Sequence, residues 1–75
     1  MDERLKRLIA RREAAAEERE TLLAKRKAIV DLAEEESRQD LSDEEDAEFR
    51  KFTADVALKD TEIKGYDERI KELSE

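Results

Sequence analysis

Histidine, cysteine and proline are absent from this 75-residue sequence, and glycine occurs once, at Gly65. Without histidine there is no general base that titrates near neutral pH and no imidazole metal ligand. Without cysteine there is neither a disulfide framework nor thiol chemistry, and the redox compartment is left open. The lack of proline and the near lack of glycine remove the residues that usually mark turns between strands.

Long apolar runs are also missing. The first seven residues (M-D-E-R-L-K-R) lack the apolar core of a signal peptide, and no stretch approaches the length of a transmembrane helix. Charged residues make up 52% of the chain and hydrophobic residues 37%. We therefore expect one small, soluble, intracellular domain without a thick core. The net charge of −7 argues against nucleic acid as a partner, because a phosphate backbone would be repelled.

Few side chains suit catalysis or ligand binding. Ser37, Ser42 and Ser74 have no partner that would activate them as nucleophiles. The segment 40–52 is rich in carboxylates, but Glu45 stands where a calcium loop needs glycine. This acidic run is read either as a site for a divalent cation or a basic partner, or as a solvated loop and charged helix start; the second reading is favoured. The sequence predicts no enzyme, no catalytic residue, no cofactor and no metal site.

The strongest pattern lies in the C-terminal half. Ser42 and Glu45 have the spacing of a capping box, in which each side chain accepts a hydrogen bond from the other residue's backbone N–H. Acidic residues fill the first turn, where the helix dipole favours them. Apolar residues then recur at spacings of three and four, interrupted at Lys59. This pattern predicts a capped amphipathic helix over residues 43–74.

The N-terminal half contains an internal seven-residue repeat. Pairs of adjacent apolar residues recur at Leu8–Ile9, Ala15–Ala16, Leu22–Leu23 and Ile29–Val30. This repeat is typical of a helix that packs along its whole length, and it predicts a helix over about residues 2–36. The polar stretch 37–42 is then a short link, and a short link between helices of similar length favours an antiparallel neighbour. We predict an all-α fold, an antiparallel two-helix hairpin of the coiled-coil type.

The register of this hairpin follows from its fold-back point. A link centred near Gln39 pairs residues whose numbers sum to about 78, as in an antiparallel helical hairpin. Arg12 would then lie along Tyr66, and Arg26 along Phe52, in cation–π contacts. The basic N-terminal end would meet the acidic C-terminal end. The predicted interhelical interface consists of Leu5, Leu8, Ala15, Leu22, Ile29, Phe49, Phe52, Val56, Ile63, Tyr66, Ile70 and Leu73.

Two helices that share one interface are marginally stable by themselves. Several apolar residues also lie outside the predicted interface, and we expect them to drive association into a helical bundle. The alternative is that they are simply exposed, as scattered surface leucines often are. The candidate self-association surface consists of Ile9, Leu23, Val30, Leu32, Leu41 and Leu58.

A family resemblance extends over essentially all 75 residues. A basic, leucine-containing helix is followed by a polar link, by L-S-D-E-E-D-A-E-F-R-K-F, and by I-K-G-Y-D-E-R-I-K-E-L. This order resembles the N-terminal scaffold region, the delta domain, of major capsid proteins from tailed phages of the Hong Kong type. The residues that match the family pattern are Leu41, Ser42, Glu44, Glu45, Phe49, Arg69, Ile70 and Leu73.

The resemblance implies a built-in scaffolding segment that guides capsid subunits into correctly curved shells. Such a segment is made in the bacterial host cytoplasm, points into the procapsid interior, associates with itself and with capsid subunits, and is usually removed by a phage maturation protease. In that family a coat domain follows the segment, so the resemblance implies that the reading frame continues past Glu75. The competing interpretation is a free-standing coiled-coil adaptor or chaperone that binds a partner helix. A third, a nucleic-acid-binding hairpin, would require a segregated basic face.

Overall fold

The computed structural model describes residues 2–75, which form two long helices joined by a short link. Helix α1 spans Glu3–Glu35 and helix α2 spans Asp43–Ser74. They pack side by side in a rod that measures 52 × 16 × 15 Å. No strand occurs among the described residues. The predicted all-α helical hairpin is confirmed. Neither helix of the described chain has an apolar stretch long enough to cross a membrane.

Both helices begin at a side-chain cap. The Asp2 carboxylate accepts a hydrogen bond from the Arg4 backbone N–H over 3.0 Å. At α2 the Ser42 hydroxyl accepts from the Glu45 N–H over 3.1 Å, and the Glu45 carboxylate accepts from the Ser42 N–H over 2.9 Å. The capping box read from the sequence is therefore present. It satisfies N–H groups at a helix start that have no partner within the helix.

Helix α1 ends in a left-handed turn that usually requires glycine. The Ser37 N–H donates to the Glu34 carbonyl and the Arg38 N–H donates to the Ala33 carbonyl. These two bonds define a Schellman motif, which places Ser37 at the position where the chain reverses. Ser37 accordingly has a φ of 55°. Because a side chain is disfavoured in this conformation, the turn is formed at some expense in stability.

Replacing Ser37 with glycine is expected to stabilise the hairpin by about 1 kcal/mol, since glycine adopts positive φ without a steric penalty. Urea unfolding followed by circular dichroism measures the change. Ser74→Gly is the matched control, because Ser74 lies in the last turn of α2 and carries no positive φ. A Ser37→Gly variant no more stable than the parent would show that the turn relaxes to another conformation in solution.

The register of the two helices is defined by polar pairs that cross between them. Arg12 pairs with Asp67 and Arg19 pairs with Asp60. A step of seven residues forward in α1 is thus matched by a step of seven backward in α2, as an antiparallel pair requires. The second step along the same series brings Arg26 to Thr53. The numbers of each pair sum to 79, in close agreement with the predicted register of about 78.

The core of the hairpin is thin. Only Ala15, Ala33 and Val56 are buried among the described residues, at 5%, 5% and 7% exposure. Ala33 was not among the predicted interface residues. Leu73 was, but it is 45% exposed. Leu73 lies at the open end of the hairpin, where α1 begins, so little chain is left to cover it. The other predicted interface residues are half-buried: Leu5, Leu8, Leu22, Ile29, Phe49, Phe52, Ile63, Tyr66 and Ile70.

Candidate interaction surface

One long side of the rod is closed by a series of arginine contacts, and we call it the ladder side. The Arg12 Nε donates to Asp67 and the Arg19 Nε donates to Asp60, each over 2.5 Å. These hydrogen bonds, helped by the charge of each aspartate, raise the pKa of both guanidinium groups. These ion pairs connect the two helices along this side of the rod.

The aromatic partners expected for two of these arginines are partly wrong. Arg12 was expected along Tyr66 and instead pairs with Asp67, the next residue in α2. Arg26 was expected along Phe52, but its guanidinium lies 5.3 Å from the centre of the Phe49 ring, one turn nearer the link. A long side chain reaches several ångströms along the helix axis, so the register alone does not select its partner.

The opposite long side is open, and we call it the groove side. A shallow groove of about 800 Å³ runs there between the helices, near the middle of the rod. Ala14, Thr21 and Leu22 of α1 and Leu58 and Thr61 of α2 are among its lining residues. The Leu58 side chain is 66% exposed. The groove side therefore presents apolar atoms to solvent between charged side chains, which include Glu17 and Lys25.

A lysine that lines this groove bridges the two helices. Lys59 interrupts the apolar pattern of α2, and its ammonium pairs with Glu18 of α1 and, over 3.1 Å, with Glu62 of its own helix. Hydrogen bonds to Glu18 and then to Glu62 raise the pKa of Lys59, as do their charges. The residue that appeared as a gap in the sequence pattern thus connects the helices by charge.

The six candidate self-association residues do not share one surface. Leu32 and Leu58 are exposed, at 46% and 66%, while Ile9, Leu23, Val30 and Leu41 are half-buried. Successive side chains of an α-helix point about 100° apart around the helix axis. Because Leu22 lines the groove, Leu23 points toward the ladder side. Ile9 and Val30 are related to Leu23 by steps of seven, or two turns, and lie on the same stripe.

The link is held by an arginine clamp that the sequence pattern did not reveal. Arg38 Nη1 and Nη2 donate to the two Glu45 carboxylate oxygens over 2.5 and 3.0 Å, and Arg38 Nε donates to Glu36 over 3.1 Å. Glu45 also accepts the Ser42 N–H of the capping box. The bidentate contact ties the end of α1 to the start of α2. The signal that could have found it is that Arg38 is the only basic residue between positions 31 and 48.

These contacts lower the pKa of Glu45 from the usual 4.5 to about 2, chiefly through the hydrogen bonds from Arg38 and then through that from the Ser42 backbone N–H. Because the carboxylate titrates lower in the folded state than in the unfolded chain, its contribution to stability is complete above about pH 4.5 and is lost as the pH falls toward 2.

The stability advantage of the parent over Glu45→Gln should accordingly shrink between pH 7 and pH 2. Glutamine still offers an acceptor to the Ser42 N–H. The stability difference between the parent and Glu45→Gln therefore measures the ion pair of Glu45 with Arg38. Thermal unfolding at several pH values measures it. Glu44→Gln, at the exposed neighbouring position in the same turn, is the control and should show a smaller pH-dependent difference. A Glu45→Gln effect that stays constant from pH 7 to pH 2 would contradict the assignment.

Charge is distributed unevenly along the rod. Ten of the eighteen residues from 31 to 48, which we call the acidic end, are aspartate or glutamate, and Arg38 is the only basic one. Outside this segment basic residues slightly outnumber acidic ones. A contact of the basic residues Arg4, Lys6, Arg7 and Arg11 with the acidic C-terminal end was predicted. Among the described residues Asp67 of that end pairs instead with Arg12, and Lys6 pairs with Glu3 of its own helix. Within residues 2–75 no group of three or more carboxylates is arranged to hold a metal ion.

Comparison of the chain with protein-family models, with curated proteins and with solved structures finds no match.

Proposed function

We propose that this hairpin is a built-in scaffolding segment of a phage major capsid protein, which promotes procapsid assembly by associating with other copies of itself. The observation that carries the proposal is the apolar groove side of a narrow rod, with Leu58 at its centre and 66% exposed. An apolar side that the hairpin leaves uncovered is a surface on which another helix can pack. The family resemblance of the segments around Ser42 and Ile70 supplies the biological setting.

The modest size of this surface suits an assembly aid. A few separated exposed leucines and a shallow groove favour weak contacts between two free hairpins. When the hairpin is attached to every subunit of one shell, the same contacts become effectively intramolecular. The high local concentration of hairpins then biases assembly. Weak contacts also release easily, which suits a segment that a maturation protease removes from the procapsid interior.

The test begins with the reading frame beyond the codon for Glu75. A frame that continues into a coat-protein domain supports the proposal. The full polypeptide is then expressed with and without residues 2–75, and the particles are compared by electron microscopy. We expect closed shells of uniform size with the hairpin, and aggregates or aberrant shells without it. Normal shells in the absence of the hairpin would refute the proposal.

The second candidate function is a free-standing adaptor or chaperone that binds the apolar face of a partner helix. The observation that favours it is the groove between Leu22 and Leu58, since grooves of this kind accept amphipathic helices. A frame that ends at Glu75, together with a hairpin that stays monomeric at high concentration, would favour the adaptor over the scaffold.

A further inference from the structure

Three large apolar side chains are exposed among the described residues, and all three lie on the groove side. They are Leu32, Leu58 and Leu73, at 46%, 66% and 45% exposure. Leu58 lines the central groove directly. Leu32 follows Lys25 by seven residues, and Leu73 follows Tyr66 by seven; Lys25 and Tyr66 both line depressions on this side. Residues seven apart lie nearly above one another on a helix, so the three leucines form one interrupted stripe.

The stripe is nearly symmetric about its centre. Leu58 lies at the midpoint of α2, which spans Asp43–Ser74. In the observed register Leu32 lies level with about residue 47 of α2. At 1.5 Å per residue, Leu32 is then about 16 Å from Leu58 toward the link, and Leu73 is about 22 Å from it toward the open end. Reversing the direction of the rod therefore reproduces the pattern of exposed leucines to within about one helical turn.

We propose that the groove side is covered by a second copy of this chain in antiparallel orientation, with a two-fold axis passing close to Leu58. This inference rests on the proposed self-association and adds its surface and its direction. The two Leu58 side chains would meet at the axis. On either side of it, Leu32 of one copy would lie within about one helical turn of the height of Leu73 of the other. Each exposed leucine would gain an apolar neighbour, as an isologous contact requires.

The charge distribution selects the antiparallel direction. In a parallel pair the two acidic ends would lie side by side, each with ten acidic residues and one basic residue between positions 31 and 48. Salt screens the repulsion between like charges only beyond the Debye length, which is about 10 Å at 0.1 M salt. Two acidic ends in contact would therefore repel each other. The antiparallel pair separates the acidic ends by nearly the 52 Å length of the rod. Each then lies beside the less acidic open end of the other copy.

The dimensions of the rod require overlap along the full length. A stable protein interface buries about 800 Å² on each partner. One long side of a rod of 52 × 16 × 15 Å offers a projected area of about that size, whereas one end offers less than a third of it. Full-length overlap places the two rod centres at the same height, and the centre of the rod is where Leu58 lies.

The first experiment measures dimerisation of the hairpin by sedimentation equilibrium over a range of concentrations. Leu58→Glu places two like charges at the axis and should raise the dimer Kd at least about tenfold. Ala57→Glu is the matched control. Ala57 is the exposed neighbour of Leu58 on the same helix, about 100° round toward the ladder side, and its substitution should leave the Kd within about twofold. Equal effects of the two substitutions, or a chain that is monomeric at all concentrations, would overturn the proposal.

The second experiment determines direction. The sequence has no cysteine, so Gln39→Cys introduces a single site in the exposed link for a spin label. Electron–electron distance measurement on the dimer should give a separation near the 52 Å rod length. A distance near the 15–16 Å width of the rod would instead indicate a parallel pair and overturn the proposal.

These results are separable from the test of the scaffolding function. A parallel dimer, or association through another surface, would overturn the antiparallel arrangement while shells that need the hairpin would still support the scaffold. Conversely, the hairpin could form an antiparallel dimer while its removal leaves shell assembly intact. That result would refute the scaffolding function and support the antiparallel dimer.

Discussion

Replacing Val56 with aspartate is expected to unfold the hairpin. Val56 is 7% exposed and is one of three buried residues in the described chain. An uncompensated charge at a buried position costs about 3–5 kcal/mol. A domain of this size has a stability at or below the low end of the usual range of about 5–15 kcal/mol. The substitution therefore removes most of the free energy of unfolding. Circular dichroism at 25 °C should show reduced helicity and no cooperative thermal transition.

Ala57→Asp is the control for this effect. Ala57 is exposed and adjacent to Val56 in the same helix, so the substitution adds the same charge and the same unfavourable helix propensity without burying either. Its cost should stay below about 1 kcal/mol. If Val56→Asp unfolds as cooperatively as Ala57→Asp and at a similar temperature, the interior of the hairpin admits water at Val56, and the thin core does not account for its stability.

The helices and their register could be predicted because they depend on short-range rules. The seven-residue repeat around Leu22 and the capping box at Ser42 each specify a helix without reference to the rest of the chain. A short link then permits only an antiparallel neighbour, and the fold-back point determines which residues face each other. The observed pairs Arg12–Asp67 and Arg19–Asp60 lie within one residue of that prediction.

The partners of long polar side chains could not be predicted in the same way. Arg26 touches both Phe49 and Thr53, one turn apart in α2. Arg38 lies in a link without periodicity, so no pattern identified Glu45 as its partner. A flexible side chain selects among several neighbours by hydrogen-bond geometry and charge, which sequence spacing does not specify. Which long side carries the arginine pairs and which carries the groove likewise emerged only from the structure.

The polar contacts explain how a hairpin with so thin a core keeps one register. Shifting α2 by one turn would separate Arg12 from Asp67 and Arg19 from Asp60 together, because both pairs share the same seven-residue step. Exposed ion pairs add little stability one at a time. Their value here is in disfavouring the shifted alternatives, in which the same charges would be unpaired or face like charges.

Replacing Phe49 with alanine is expected to destabilise the hairpin by about 2–3 kcal/mol, below the range of about 3–5 kcal/mol for a fully buried phenylalanine, because Phe49 is half-buried. The loss has two sources. One is the apolar area that the ring removes from water; the other is its face, over which the Arg26 guanidinium lies at 5.3 Å. Urea unfolding gives the total change.

Phe49→Leu separates these two sources. Leucine keeps most of the apolar volume but has no aromatic face, so its cost should be about 0.5–1 kcal/mol, the usual strength of an exposed cation–π contact. Adding Arg26→Gln to each background completes a double-mutant cycle. Because the Thr53 hydroxyl accepts from Arg26 and itself donates to the Phe49 carbonyl, Arg26→Gln alone also disturbs that contact. If the ring face holds the guanidinium, Arg26→Gln should therefore cost less in the Phe49→Leu background than in the parent. An equal cost in both backgrounds, which is a coupling energy of zero, would assign Arg26 to Thr53 instead.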